Sequence, residues 1–163
     1  MTLDLQFGLF TATGLTPGRL YFFKTTASNS IGESDFSTED GFYAADAPSQ
    51  PLPPSRGPLS TRTQIQIVWP VLSDDEIQIT GYILEADLEN CGDFEVIWNG
   101  SNRPEITSYT LTPVTTGRSY TFRYKALNYN GESPYSPTMT TWSCETPTAP
   151  STPTWITSSA SSI

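Results

Sequence analysis

The sequence has no histidine among its 163 residues, and only two cysteines, Cys91 and Cys144. Without histidine, the commonest metal ligand and the commonest general base are both missing. Two thiols alone cannot complete a tetrahedral zinc site. Charge is scarce too, at 15% of residues against about 25% in an average chain. Basic residues are the rarer sign: 8 Lys and Arg face 17 Asp and Glu, for a net charge of -9. Such a surface repels phosphate, so neither nucleic acid nor an anionic membrane is an expected partner. No apolar run approaches the roughly 18–20 residues that cross a bilayer, and membrane insertion is not expected. The opening MTLDLQFGLF shows no basic stretch ahead of an apolar one, so no signal peptide is legible. Gly-x-Ser-x-Gly, a phosphate loop and His-Glu-x-x-His are absent. Paired carboxylates fall only in expected loops, with no cleft to raise a pKa. Neither catalysis nor a cofactor is expected.

In place of charge stand Ser, Thr, 14 Pro, 11 Gly and 12% aromatics, the profile of a turn-rich, all-β chain. The length suits one domain or two small ones. An internal repeat then organises it. Thr13 to Ser37 aligns without gaps on Thr112 to Ser136, an offset of about 99 residues, with about a dozen of roughly 25 positions identical. Gly18, Arg19, Tyr21, Phe23, Ala27, Asn29 and Gly32-Glu33-Ser34 match Gly117, Arg118, Tyr120, Phe122, Ala126, Asn128 and Gly131-Glu132-Ser133. A second echo joins Ala47-Pro48-Ser49-Gln50-Pro51 to Ala149-Pro150-Ser151-Thr152-Pro153. Proline interrupts strand ladders, so these segments mark boundaries between modules. The expected division is the second half of one module at 1–47, a complete module at 51–147, and the first strand of another from 150–163. The tail ITSSASSI is low in complexity and expected to fray.

Period-two alternation places strands in the complete module. Ile65, Ile67 and Trp69 share one face, ended by Pro70. Tyr82, Leu84 and Ala86 share another, as do Tyr120, Phe122, Tyr124 and Ala126. Further strands are expected at Phe94–Trp98, closed by the turn dipeptide Asn99-Gly100, at Ile106–Leu111, and from Tyr135 to about Glu145 after the Asn130-Gly131 turn. With an opening strand near Pro58–Ser60, the total is seven, the count of a two-sheet sandwich.

These residues resemble the fibronectin type III family. Its late block reads Leu-x-Pro-Gly-x-x-Tyr-x-Phe-x-Val-x-Ala-x-Asn-x-x-Gly-x-Ser-x-x-Ser. Leu15, Pro17, Gly18, Tyr21, Phe23, Ala27, Asn29, Gly32, Ser34 and Ser37 fit it, and Gly117, Tyr120, Phe122, Ala126, Asn128, Gly131, Ser133 and Ser136 fit it again. The second copy departs at Val114 and Thr116. Trp69 and Tyr82 match the family's earlier strands. The resemblance implies an immunoglobulin-like seven-stranded β-sandwich, with Trp69, Tyr82, Tyr120, Phe122, Tyr21 and Phe23 as its core signature. It implies that Tyr21 and Tyr120 turn the sandwich corner, and that Gly32 and Gly131 supply positive φ. Ile67 and Phe122 stand where antibody-type domains carry their bridging cysteines.

In that topology Cys91 follows the third strand and Cys144 ends the seventh, at one pole and about 10 Å apart across an intervening strand. They are a candidate disulfide, which would imply an oxidising compartment; two unpaired thiols are the alternative. Asn99-Gly100-Ser101 is a glycosylation sequon of the kind expected by chance. The acidic cluster Ser73-Asp74-Asp75-Glu76, with Asp87 or Asp93, lacks calcium-loop spacing and reads as a solvated loop. Trp98, Trp142 and Trp155 lie off the signature. Trp98 and Trp142 form a possible surface contact, against the plainer expectation that they cover the sandwich edge or a module junction.

No Arg-Gly-Asp tripeptide occurs. The resemblance implies a non-catalytic structural and adhesive array of extracellular or cell-surface setting, whose partners are other proteins, glycans or neighbouring copies of itself. One alternative is an intracellular cytoskeletal array of titin-like modules; another is a set of spacer modules in a secreted enzyme. The half-module at 1–47 is expected either to be a fragment or to be completed by another copy head to tail, building a filament.

Overall fold

The structure, a computed structural model, describes residues 9–73 and 77–155. The acidic residues Asp74, Asp75 and Glu76, the start of the opening segment read for a signal peptide (1–8) and the tail read as frayed (156–163) lie outside the described residues. Among those described, every regular element is a strand.

Seven strands make the expected sandwich. One sheet has the order β10-β8-β5-β6, from Met139–Trp142 (β10), Ser119–Asn128 (β8), Gly81–Asp87 (β5) and Glu95–Asn99 (β6). The short β9, Gly131–Glu132, folds back onto β8. The other sheet has the order β3-β4-β7, from Ser55–Arg56, Ile65–Val68 and Ser108–Leu111. All pairings are antiparallel. The opening strand therefore lies three residues earlier than Pro58–Ser60. The Gln66 carboxamide accepts from Leu59 N–H, and the Gln66 carbonyl accepts from Gly57 N–H, which turns 57–60 into a bend. The last strand is shorter than expected: Ser133 and Ser136 still donate N–H groups to the Ala126 and Tyr124 carbonyls, but their hydroxyls stand in for backbone carbonyls as acceptors.

Those serines explain the end of the repeat. Ser133 Oγ accepts from Ala126 N–H at 2.9 Å, and Ser136 Oγ from Tyr124 N–H at 3.1 Å. In the first copy Ser34 Oγ and Ser37 Oγ accept from Ala27 and Thr25 N–H at 3.0 and 3.1 Å. Hydroxyls thus satisfy strand donors where the ladder lapses.

The core lies where inward residues of both sheets meet. Ile65, Ile67, Tyr82, Leu84, Phe122 and Tyr124 are wholly buried, and β8 alternates buried and half-buried along its ten residues. Trp69 sits among Trp98, Tyr124 and Tyr82 with ring centroids 5.5, 5.7 and 6.0 Å away, spacings at which aromatic pairs attract beyond their buried area. Each wholly buried aromatic or aliphatic side chain contributes about 1.5–3 kcal/mol. Burial also pushes the Tyr124 hydroxyl up to about 12, with the neighbouring Tyr82 adding to the effect, so it stays protonated.

Among the described residues the first copy builds the same hairpin without a second sheet against it. β1 (Leu20–Phe23) pairs with β2 (Asp40–Tyr43), Leu20 against Tyr43, as Ser119 of β8 pairs with Trp142 of β10. Gly18 and Gly117 take φ of 75° and 78°, and both hydroxyl corners form: Tyr21 Oη accepts from Thr16 N–H at 2.9 Å, Tyr120 Oη from Thr115 N–H at 2.8 Å. Gly131 has φ of 145°, while Gly32 lies outside the positive region expected for it. Among the described residues β1 has a partner on one edge only. Tyr21 and Phe23 are half-buried, and Phe22, Phe42 and Ile31 are exposed.

Candidate functional site at the junction of the repeats

The strongest constellation outside the core is the seam between the end of the first copy and the β8–β9 hairpin of the complete module. Three side-chain amides of the complete module and of the segment between reach across it. Asn130 Nδ2 donates to the Tyr43 carbonyl at 2.8 Å and also to that of Ala45. Asn128 Nδ2 donates to the Asp46 carbonyl at 3.0 Å, and its Oδ1 accepts from Asn130 N–H, which fixes the hairpin. Gln50 Nε2 donates to the Tyr135 carbonyl at 2.8 Å. Tyr129, at the hairpin tip, stacks on Tyr43 with centroids 5.3 Å apart and planes 29° apart. Pro48 between the two is wholly buried and Pro51 is buried. A linker with fixed φ, seated prolines and paired carbonyls has few alternative conformations. The repeat pointed to Asn128 alone; Tyr129 and Asn130 carry no mark in the sequence except that Asn130-Gly131 reads as a turn.

A second cluster lies on the outer face of β5 and β8. Arg123 is held between the Phe94 and Tyr135 rings, 4.0 and 3.9 Å from their centroids. Its Nη2 and Nε both reach Glu85 Oε2 at 2.8 Å, and Tyr135 Oη donates to Glu85 Oε1 at 2.7 Å. The buried carboxylate is thereby matched on both oxygens, the condition under which a buried charge is tolerated. Lys125 extends the ladder; the Glu132 carboxylate at 2.5 Å raises its pKa.

The sequence candidates separate. Cys91 and Cys144 do reach one pole, because β5 and β10 both run antiparallel to the β8 between them. Both thiols are free and exposed. Cys91 Sγ lies 3.7 Å from Asp93 Oδ2 and 3.9 Å from Asp87 Oδ1, and Cys144 Sγ lies 3.8 Å from the Trp142 carbonyl. Burial acts to raise the pKa of Asp87. The N–H groups of Gly92, Cys91, Glu89 and Asn90 around its carboxylate outweigh that and hold it below the usual range. Trp98 and Trp142 are not a joint patch. They stand on opposite edge strands, β6 and β10, and Trp98 packs inward on Trp69 while Trp142 is 57% exposed. Gly100 belongs to this packing: a Cβ there would fall 1.8 Å from the Trp98 ring, so the glycine makes room for the indole. Trp155 is exposed. The sequon Asn99 is exposed, its Oδ1 accepting from the Ser101 hydroxyl at 2.7 Å.

Among the described residues no three His, Cys, Asp or Glu side chains converge to hold a metal ion, and no helix is long and apolar enough to cross a membrane.

No family model matches the chain. It is similar to fibronectin type-III domain-containing protein 3a of Gallus gallus, 32% identical over 151 residues, covering 86% of this chain and 12% of that protein. The chain thus spans about an eighth of the length of this curated relative. Among solved structures it is similar to the sixth fibronectin type III domain of human fibronectin type III domain containing protein 3, with a TM-score of 0.53, 24% identity, and 66% of this chain on 95% of that one. It is also similar to the chicken CNTN1 FN1–FN3 domains, with a TM-score of 0.55, 22% identity, and 83% of this chain on 46% of that one. Both structural likenesses concern the fold.

Proposed function

Because the chain belongs to the fibronectin type III domain family, we propose that it is a non-catalytic segment of a tandem array, a spacer that holds successive modules at a fixed angle and presents their surfaces to other proteins or glycans. The proposed units are the C-terminal half of one module at 1–47, a complete module at 51–147 and the opening of another from 150. The observation that carries this is the seam: the Asn128 and Asn130 amides and the Tyr129 ring tie the first repeat's last strand to the next module across more than 80 residues of chain. A flexible tether would leave those carbonyls to water. An extracellular or cell-surface setting follows from the family's frequent use there.

The test is backbone NMR relaxation on the 163-residue chain. Residues 18–46 and 51–147 are expected to tumble as one body, and to separate into two correlation times in Y129A/N130A. Independent tumbling of the unmodified chain would overturn the spacer reading. A second reading, a cytoskeletal array, draws support from the two free, exposed thiols. Peptide mapping of protein from its native source, with and without reduction, separates the two. A Cys91–Cys144 bond favours the extracellular setting, and two free thiols the cytoskeletal one.

A further inference from the structure

Resting on that reading, we propose that Trp142 and the carbonyls beside it form the docking surface for a following fibronectin type III module in the same polypeptide, which seats on Trp142 as Tyr129 seats on Tyr43. The argument is one of positional identity within the molecule. Tyr43 pairs with Leu20 at the end of β2, and Trp142 pairs with Ser119 at the end of β10, 99 residues on in both strands. The main chain that follows is the same. Gly18 N–H donates to the Ala44 carbonyl and Gly117 N–H to that of Ser143, both at 2.9 Å; Ala45 N–H donates to the Tyr43 carbonyl and Cys144 N–H to that of Trp142, both at 3.0 Å. The carbonyls of Trp142, Cys144 and Glu145 therefore stand where those of Tyr43, Ala45 and Asp46 receive the Asn130 and Asn128 amides. An aromatic and an acid recur at the two ends of the tetrapeptide, Tyr43-Ala44-Ala45-Asp46 and Trp142-Ser143-Cys144-Glu145.

What differs is the cover. Tyr43 is half-buried under Tyr129, whereas Trp142 is exposed, on the face of β10 opposite Met139, which packs against the core, and the half-buried Thr141. Arg56 Nη2 donates to the Cys144 carbonyl at 2.7 Å. A carbonyl has two lone pairs, so one is left for an incoming amide. The Ala-Pro-Ser linker echo also falls at an offset of 102 residues instead of 99. The extra slack lets a module reach Trp142 without strain at a small cost in closure entropy.

The hairpin chemistry selects the occupant. The seam needs an aromatic between two amides, as in Asn128-Tyr129-Asn130-Gly131. The first copy has Asn29-Ser30-Ile31-Gly32, which lacks the ring and the second amide. In a second copy of this chain the matching hairpin is already held by that chain's own Tyr43. A following module carrying its own Asn-aromatic-Asn-Gly hairpin fits.

The experiment uses a longer polypeptide in which residues 1–153 run directly into residues 52–147, Pro153 standing for Pro51. Fluorotryptophan 19F NMR, assigned with W142F at the first occurrence, reads the solvent isotope shift of that ring; the Trp69 resonances report that each module is folded. The expected result is loss of the isotope shift at the first Trp142, and its return when the appended hairpin is changed by Tyr129→Ser and Asn130→Ile. An isotope shift equal to that of the 163-residue chain, with both Trp69 signals native, overturns the inference. The relaxation measurement on the 163-residue chain keeps the two failures apart. If the Tyr43–Tyr129 seam is rigid while Trp142 stays wet, only the docking surface falls. If the seam itself is mobile, the spacer reading falls with it.

Discussion

The two copies of the repeat carry the same local devices and reach different ends. In both, a glycine of positive φ opens the strand, an arginine lies over the corner tyrosine, at 5.5 Å for Arg19 on Tyr21 and 5.9 Å for Arg118 on Tyr120, and two serine hydroxyls close it. Yet Phe122 is wholly buried while Phe23 is half-buried. The difference is what lies opposite. β8 has β5 along its second edge and the Ile65, Ile67 and Trp69 side chains across the sandwich; among the described residues β1 has neither. The motif thus encodes a hairpin and its corner by short-range bonds. Burial is supplied by strands whose sequences lie outside it.

Paired substitutions break or sharpen this contrast. The largest effect is expected in the core: Phe122→Ala costs about 3–5 kcal/mol through lost burial and the cavity left behind, whereas Phe23→Ala costs under about 1 kcal/mol, in the range of surface changes. Urea unfolding of both variants reads the difference, and equal losses would mean that the first copy owns a core of its own. Next comes the outer face. Arg123→Ala strands the buried Glu85 carboxylate on Tyr135 alone and costs about 2–3 kcal/mol. The matching residue of the first copy, Lys24, pairs with Glu39 at 3.2 Å with both side chains half exposed, so Lys24→Ala changes stability by about 0.5 kcal/mol or less. A comparable loss for both would show that the rings around Arg123 add nothing. The smallest effect is at the corners. Tyr120→Phe removes the acceptor for Thr115 N–H and costs about 1 kcal/mol, with faster amide exchange at Thr115; Tyr21→Phe does the same at Thr16 for less, since water reaches that donor.

Much of the sandwich is legible in the sequence because alternation and burial share a period of two. Ile65, Ile67, Trp69, Tyr82, Leu84, Ala86 and the four inward residues of β8 all lie where alternation puts them. What escapes alternation is a polar residue buried by a distant partner. Glu85 reads as a solvent-facing position on β5, yet Arg123, 38 residues on, and Tyr135, 50 residues on, bind its carboxylate. The seam is hidden for the same reason, since the targets of Asn130 are backbone carbonyls more than 80 residues away, and any residue supplies a carbonyl. The inward position of Trp98 is masked in the sequence because Asn99-Gly100 reads as a turn. The turn proper falls at Ser101 and Asn102, where Asn102 takes φ of 61°, and Gly100 serves the indole. Pro58 and Leu59 look like a strand edge in sequence, but the Gln66 side chain bends that segment and the opening strand lies at Ser55–Arg56.

The brevity of β3 governs how the sandwich would respond to tension applied at its two ends. A pull arriving through Pro51 meets a strand of two residues, held by Ser55 against Val68 and Arg56 against Ile67. A pull leaving through Cys144 meets β10, with four pairings from Met139 to Trp142. The two strands lie in different sheets, and the Arg56 guanidinium on the Cys144 carbonyl is a direct tie between their ends. Once the seam that holds Tyr43 to Gln50 has opened, force on the two ends bears on that tie and on the two-residue ladder before it reaches the longer one.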